Sequence, residues 1–287
     1  MSRSPARRLL LGASAGGIAL HSAPATPTPP TVSTSLVETL VALPVTAAGN
    51  AAVANLCGVL QGLEAGAPPP ARGTTGLSVT LDDGLTRSFV VTPPSGAHGL
   101  RELQACAAAR FAALYGESTE QWRLAADWQV TVPFVACALP RELFGALEEL
   151  AGRQRWRLDS VCPALVRVWN HVQRSIPADG WLLVGYGQTL TVVHTCNDQV
   201  ADVRTLHLPG APDVAELEML LEQEQLRTPV PGDGRPPQAL LWAGGADWLP
   251  AAATIAGLAS RVIRVPVEAA AGDRSAAWQL ALAGACG

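Results

Sequence analysis

The chain contains 287 residues, of which 48% are hydrophobic and 15% are charged, and its formal net charge is −4. This composition excludes an intrinsically disordered chain and allows one large core or two lobes. All 20 basic residues are Arg, which excludes a P-loop lysine and a Schiff-base lysine. The chain lacks the basic surface of most nucleic-acid-binding proteins, so no nucleic-acid partner is predicted. The six cysteines form no C-x-x-C pair and have no His at zinc spacing, which predicts buried thiols and no metal site.

The N-terminal run from Leu9 to Leu20 has two interpretations. It follows Arg7-Arg8 and precedes small residues that end near Ala25, as in a twin-arginine signal peptide. That interpretation predicts a periplasmic protein of unknown binding function, from which residues 1–25 are removed. The run also contains three glycines, each of which lowers helix propensity by about 1 kcal/mol relative to Ala. The second interpretation is therefore a strand, a turn over residues 12–17 and a second strand. No apolar run reaches the roughly 18 residues that a membrane-spanning helix needs.

The rest of the chain alternates between strand and helix patterns. We predict strands at 36–45, 77–81, 86–92, 133–139, 158–161, 181–184, 190–195, 202–208, 239–242 and 261–265. We predict helices at 47–63, 100–115, 141–152, 163–172, 214–225 and 249–258. Residues 77–92 are predicted to form a hairpin, with Asp82-Asp83-Gly84 as its turn. This order of elements indicates an α/β fold.

One segment occurs twice. Residues 9–21 align without a gap on residues 182–194, and both read as apolar strand, small-residue turn and apolar strand. The identical positions in this alignment are Leu9 and Leu182, Leu10 and Leu183, Gly12 and Gly185, and His21 and His194. The repeat predicts that the chain contains the same strand–turn–strand unit in two halves.

This duplication, with the order of the other elements, resembles the actin-like ATPase fold of the pilus assembly protein PilM and of the cytoplasmic part of the type II secretion protein GspL. The two repeated hairpins resemble the phosphate loops of that fold, and Leu240 to Gly245 resembles its adenosine motif. The resemblance implies two RNase H-like halves with mixed sheets flanked by helices. The first half would be 1–175, with a small subdomain inserted at about 77–140. The second, shortened half would be 176–287.

The resemblance also implies where a nucleotide site would lie. The vestigial loops would contain Gly12 and Ser14, Gly185 and Gly187, and Gly244 and Gly245. Active members have Asp at the positions of Gly12 and Gly185, and a basic residue at the position of Ala19. Because glycine has no side chain to coordinate Mg²⁺ or orient a water molecule, we predict no catalytic residue, no metal and no ATP hydrolysis. No cofactor is predicted, and ATP binding is left open.

Family members recruit pilus or secretion components at the inner membrane. The resemblance therefore implies a scaffold in the cytoplasm, peripheral at the inner membrane, that holds the cytoplasmic tail of an inner-membrane assembly protein. The docking groove is expected between the first-half helices and a small lobe inserted after Tyr115 or preceding Leu77. A rival pattern is the G-x-S-x-G of Gly12 to Gly16, which is typical of the nucleophile elbow of α/β-hydrolases. That elbow joins a strand to a helix after several earlier strands, whereas here it stands at the start of the chain.

Overall fold

The computed structural model describes residues 7–24, 39–42, 50–63, 75–227, 239–265 and 275–285. The strands are β1 Arg7–Ser14, β2 Gly17–Pro24, β3 Thr39–Ala42, β4 Thr75–Leu81, β5 Arg87–Val91, β6 Trp122–Ala126, β7 Phe134–Pro140, β8 Trp156–Pro163, β9 Gly180–Tyr186, β10 Thr189–Cys196, β11 Gln199–His207, β12 Ala239–Gly244, β13 Thr254–Ile255 and β14 Leu258–Arg264. The helices are α1 Asn50–Gly62, α2 Leu100–Tyr115, α3 Arg141–Gln154, α4 Ala164–Val172, α5 Val214–Arg227 and α6 Ala276–Ala283. No helix in these ranges is long and apolar enough to cross a membrane.

Two large sheets repeat one topology. The first sheet has the order β3-β2-β1-β4-β8, and the second has the order β11-β10-β9-β12-β14 with β13 added at its edge. In each sheet an antiparallel pair, β1–β2 or β9–β10, is followed by two strands parallel to its first member. The predicted α/β fold of two duplicated halves is therefore confirmed.

Both repeated segments are β-hairpins, as predicted, but each turn contains two residues, whereas the first turn was predicted to span residues 12–17. Their registers differ from the ungapped alignment. Leu10 pairs with His21, but its equivalent Leu183 pairs with Val192, two residues before His194. The second hairpin turns at Gly187-Gln188, one residue sooner than the first. The alignment therefore holds for β1 and β9, while the match between His21 and His194 does not relate equivalent positions.

A small subdomain is inserted between the strands of the first half. It contains a three-stranded sheet in the order β5-β7-β6, covered by α2. The predicted hairpin over residues 77–92 is wrong, because β4 pairs with β1 and β8, whereas β5 pairs with β7. The segment 75–81 thus belongs to the first large sheet, and the small sheet begins at Arg87 rather than near residue 77. The chain passes between the two sheets through a buried 3-10 turn at Asp83–Leu85.

Each half contributes one helix that packs against the sheet of the other half. Helix α4 follows β8 of the first sheet but packs against β9 and β12 of the second, where Leu165 and Val168 join Leu182 and Leu241 in one core. Helix α6 follows the second sheet but packs against β1, β2 and β4 of the first, with Trp278 beside Ala19. The interface between the halves is therefore a hydrophobic core.

Two elements near the C-terminus differ from the sequence prediction. The predicted helix 249–258 is wrong, since residues 254–264 form the hairpin β13–β14. Its turn has positive φ at Ala256 (50°) and Gly257 (75°), which a helix does not accommodate. Helix α6 was not predicted. Its start is nevertheless marked in the sequence by Ser275, whose Oγ accepts a hydrogen bond from Trp278 N as an N-cap.

Candidate functional site

Gly12 lies inside strand β1 and packs directly against helix α6. It pairs with Ala19 and Thr80 on its two sides, so it belongs to the strand and not to the predicted turn. A Cβ atom at this position would lie well within 3.0 Å of the Ala277 carbonyl oxygen and of Ala281 N, closer than real Cβ atoms approach. The backbone of α6 therefore occupies the place of any side chain at residue 12. A carboxylate there requires α6 to move.

Two further predicted loop glycines contact the same helix. Gly187 has φ 53°, and a Cβ on it would stand 2.8 Å from Ala276 Cβ. A Cβ on Gly245 would stand 3.0 Å from Gln279 Cβ. The first turn of α6 thus lies against both hairpin sheets and the end of β12, in the cleft that the two halves form.

The remaining two predicted glycines, Gly185 and Gly244, contact each other, and Gly185 also contacts Trp248. A Cβ on Gly185 would lie 2.8 Å from Trp248 Cη2, and Gly244 has φ 125° where it lies against Gly185. Gly185 O accepts hydrogen bonds from Gly245 N and Ala246 N, both at 3.1 Å. Trp248 Nε1 donates to Gly187 O at 2.6 Å. The Gly244-Gly245 segment, which resembles the adenosine motif, packs against the second hairpin, and the indole ring of Trp248 packs against Gly185.

Ser14 completes the set of predicted site residues. It is buried at the end of β1 and pairs with Gly17. Because the G-x-S-x-G pattern of Gly12 to Gly16 spans a strand and a hairpin turn, it lacks the strand-to-helix geometry of a nucleophile elbow. Of the six predicted positions, three glycines contact α6, namely Gly12, Gly187 and Gly245. A fourth, Gly244, contacts Gly185. No group of His, Cys, Asp and Glu side chains suited to a metal ion occurs among the residues described.

Sequence reasoning missed the role of Asp82 and Asp83, which it assigned to an ordinary turn. Asp83 is 3% exposed, and its carboxylate accepts hydrogen bonds from Leu165 N (3.0 and 3.1 Å) and from Thr191 Oγ1 (2.8 Å). Leu165 begins helix α4, and Thr191 lies on β10 of the second half. Asp83 therefore joins the small-subdomain connection to α4 and to the opposite half.

Asp82 anchors the same turn to the first hairpin. Its backbone N donates to Ala13 O at 2.8 Å, and its Oδ1 accepts from Gly84 N at 2.8 Å. The Thr189 hydroxyl at the start of β10 also hydrogen-bonds Asp82. The Asp82-Asp83 turn thus contacts the first hairpin through the Asp82 backbone N and the second hairpin through both carboxyl groups. No sequence pattern other than the Asp-Asp pair itself indicated this.

Burial sets the protonation of this pair. Burial raises the pKa of Asp83 to about 7, against the opposing hydrogen bonds from Leu165 N and Thr191, and the charge of Asp82 raises it further. Burial also raises the pKa of Asp82, opposed by the hydrogen bonds from Gly84 and Thr189. Near neutral pH the Asp83 carboxyl group is therefore protonated in part of the molecules and ionised in the rest. Since the oxygens are occupied by the chain's own donors, the arrangement is suited to joining the halves.

An apolar groove of about 570 Å³ lies between the small subdomain, α4 and the strands β10 and β11. Val135 lines it from the small subdomain, Val166 and Trp169 from α4, and Val200 from β11. All four side chains are only half-buried. The groove lies between helix α4 and the small subdomain, whose strands β6 and β7 follow Tyr115. Its chemistry suits apolar side chains of a peptide.

No protein-family model and no curated protein sequence matches the chain. Similar solved structures are found. The cytoplasmic domain of EpsL, an inner-membrane component of the type II secretion system of Vibrio cholerae, is 14% identical, covers 98% of this chain and 94% of its own, and has a TM-score of 0.56. A PilM–PilN type IV pilus biogenesis complex contains a chain that is 14% identical, with coverage of 91% and 89% and a TM-score of 0.61. Identities this low show the fold alone. Together with the duplicated sheets, they show that this chain has an actin-like fold of the PilM and GspL type.

Proposed function

We propose that this protein is a non-catalytic docking subunit of a pilus-assembly or secretion-type inner-membrane complex. The contact of the α6 backbone with Gly12 carries the proposal. An actin-like ATPase needs a carboxylate at this place to hold Mg²⁺ and position water, and here a helix occupies the space. The fold retains its two-lobed core and an apolar groove. This groove is the surface that would serve the proposed docking function.

The proposed partner is the cytoplasmic tail of an inner-membrane assembly protein. The similar EpsL domain is a cytoplasmic part of an inner-membrane component, and the similar PilM chain is in complex with PilN. By analogy, the apolar groove at Val166 and Trp169 would hold a short apolar segment of such a tail. Burial of apolar surface contributes about 25 cal/mol per Å², and this gain would have to exceed the entropy lost when the peptide is bound.

The proposed location is the cytoplasm, peripheral at the inner membrane. Residues 7–24 form the two strands β1 and β2, which stand in the first large sheet and contact α6. Removal of residues 1–25 would take both strands from the core. This argues for the core-strand interpretation over the twin-arginine signal peptide, whose cleavage region around Ala25 lies outside the described residues.

Site-directed crosslinking in cells tests the proposal. A photo-crosslinking amino acid replaces Trp169 in the groove, and a matched variant carries it at Glu148, an exposed position on α3. We expect the Trp169 variant alone to crosslink a protein with a membrane-spanning segment, and mass spectrometry to place the crosslink in its cytoplasmic tail. A wholly soluble protein that crosslinks no membrane protein from either position would contradict the proposal.

A further inference from the structure

A second cleft, of about 580 Å³, lies between the small subdomain and the second half. Strand β5 and the end of α2 form one wall, and β11 forms the other. Both β5 and β11 are edge strands of their sheets. We call this the cationic cleft, because Arg87, Arg110, Arg204 and His207 line it.

Arg87 lies over two aromatic rings in the cationic cleft. Its guanidinium carbon stands 5.6 Å from the ring centroid of Tyr115 and 5.4 Å from that of Trp122. Among the described residues, Arg87 donates one hydrogen bond, from Nη1 to Thr86 O at 3.1 Å, and forms no ion pair. Stacking fixes the plane of a guanidinium and leaves its edge donors for a carboxylate. Arg87 therefore has an oriented, uncompensated positive charge.

Arg110 adds a second uncompensated charge. It is exposed on α2, and within the part of the chain that the structure describes it has no carboxylate partner. Arg204 differs, since its Nη1 is paired with Glu224 at 2.8 Å. Two carboxyl groups also line the cleft. Asp83 is buried with its oxygens occupied, and Asp202 lies next to Arg204, with its pKa raised by burial. In a chain of net charge −4, this cleft is thus a local site of positive charge.

The cationic cleft and the apolar groove share one lining residue. Val203 on β11 lines both. Leu114 and Leu206 lie among the charged residues of the cleft, and Leu114 is 45% exposed. A single extended peptide could therefore place apolar residues in the groove and acidic residues in the cleft, with the aliphatic parts of its side chains against Leu114.

We propose that the cationic cleft binds an acidic stretch, rich in Asp or Glu, of the same partner segment whose apolar residues occupy the groove. This inference rests on the proposed function. Each guanidinium edge would receive a carboxylate through charge-assisted, bidentate hydrogen bonds. The mixed charge and apolar lining selects a segment in which an apolar stretch adjoins acidic residues, and it disfavours basic tails.

Selection from a random 12-residue peptide display library on the whole protein tests the inference. We expect selected peptides to combine apolar residues with Asp or Glu, and their affinity to fall as salt concentration rises. Arg87→Gln with Arg110→Gln should weaken binding at least tenfold. Arg110→Gln alone, at an exposed position that does not affect folding, should weaken it about threefold. Arg101→Gln, on the same helix outside the cleft, should have no effect.

The outcomes separate this inference from the proposed function. Apolar peptides without acidic enrichment, or acidic peptides whose affinity is unchanged by Arg110→Gln and Arg87→Lys, would overturn the inference and leave groove docking standing. No selected peptide at all would overturn both. Acidic peptides that lose affinity in the cleft variants and in Val166→Asp, but not in Arg101→Gln, would support both.

Discussion

The carbonyl oxygen of Ala277 lies against Gly12, in the volume that a side chain at residue 12 would fill. The two residues are far apart in the sequence, and their contact packs helix α6 against strand β1. In an actin-like ATPase the side chain at this position is part of the catalytic site. Here the same position is a packing contact between strand β1 and helix α6.

This contact predicts the effect of restoring the lost carboxylate. We expect Gly12→Asp to lower the free energy of unfolding by about 3 kcal/mol, because the new side chain overlaps the α6 backbone, which cannot rotate away as a flexible side chain can. Denaturant unfolding measures the loss. Gly58→Ala is the control, since a Cβ there meets nothing within 4 Å and helix α1 should gain about 0.5 kcal/mol or more. A Gly12→Asp protein as stable as the parent would show that α6 does not occupy this space.

Asp83 predicts a pH dependence of stability. Its pKa is about 7 in the folded protein, above the usual 3.8, so the folded state retains a proton that the unfolded chain has released. The stabilising contribution is complete below about pH 4 and is lost as the pH rises through 7. The free energy of unfolding should therefore fall between pH 5 and pH 8, by about 3 kcal/mol from Asp83. Denaturant unfolding over this range measures it.

Asp83→Asn separates this effect from other titrations. Asn keeps an acceptor for Leu165 N and can exchange a hydrogen bond with Thr191 Oγ1, but it does not ionise. We expect the variant to be more stable than the parent at pH 8 and to have a flatter pH profile. Glu148→Gln, at an exposed position on α3, should leave the profile unchanged. An Asp83→Asn protein that is less stable at pH 8, with an unaltered slope, would contradict this account.

The apolar groove predicts a variant whose partner binding falls more than its stability, although Val166 also packs against the first-half core. Val166 is half-buried on α4 and lines the groove, so Val166→Asp places a charge where an apolar side chain would dock. Recovery of the membrane partner should fall at least tenfold, while the melting temperature changes by only a few degrees. Val214→Asp is the matched control, at an exposed Val that begins α5 far along the chain. Equal loss in both variants would exclude the groove as the docking site.

The N-cap of α6 predicts how firmly the helix closes the cleft. Ser275→Ala removes the hydrogen bond that Ser275 Oγ accepts from Trp278 N at 3.3 Å. We expect a loss of about 1 kcal/mol in the free energy of unfolding and faster amide exchange in residues 276–283. Ser118→Ala, which removes an exposed cap of a short 3-10 turn, should not change exchange in α6. Unchanged exchange in α6 would show that the cap does not stabilise it.

The sequence predicted the two hairpins because their apolar residues and glycines form a local pattern that recurs. It did not predict the difference in register, since the turn after Tyr186 comes one residue sooner and no local signal distinguishes the two. The buried state of Asp82 and Asp83 was also not predictable. Their hydrogen-bond partners, such as Thr191 and Leu165, are far away in the chain, and a pair of Asp residues before Gly is typical of an exposed turn.

The candidate site shows the same division. The resemblance located Gly12 and Gly185 and indicated that their carboxylates are missing, because those positions are defined by the local hairpin pattern. The reason for the glycines was not predictable, since α6 was not recognised in the short Ala-rich segment after Ser275. The tertiary contact with Ala277 shows that the α6 backbone fills the space which a carboxylate at residue 12 would need.

The most direct test of the central claim is ATP hydrolysis by the purified protein, with and without Mg²⁺, beside the Gly187→Val variant. Gly187 has φ 53° and packs on Ala276, so Val there disrupts the second loop. We predict phosphate release equal to the buffer control for both proteins under both conditions. Turnover by the parent that requires Mg²⁺ and is lost in Gly187→Val would contradict a cleft closed by α6 and a docking role without catalysis.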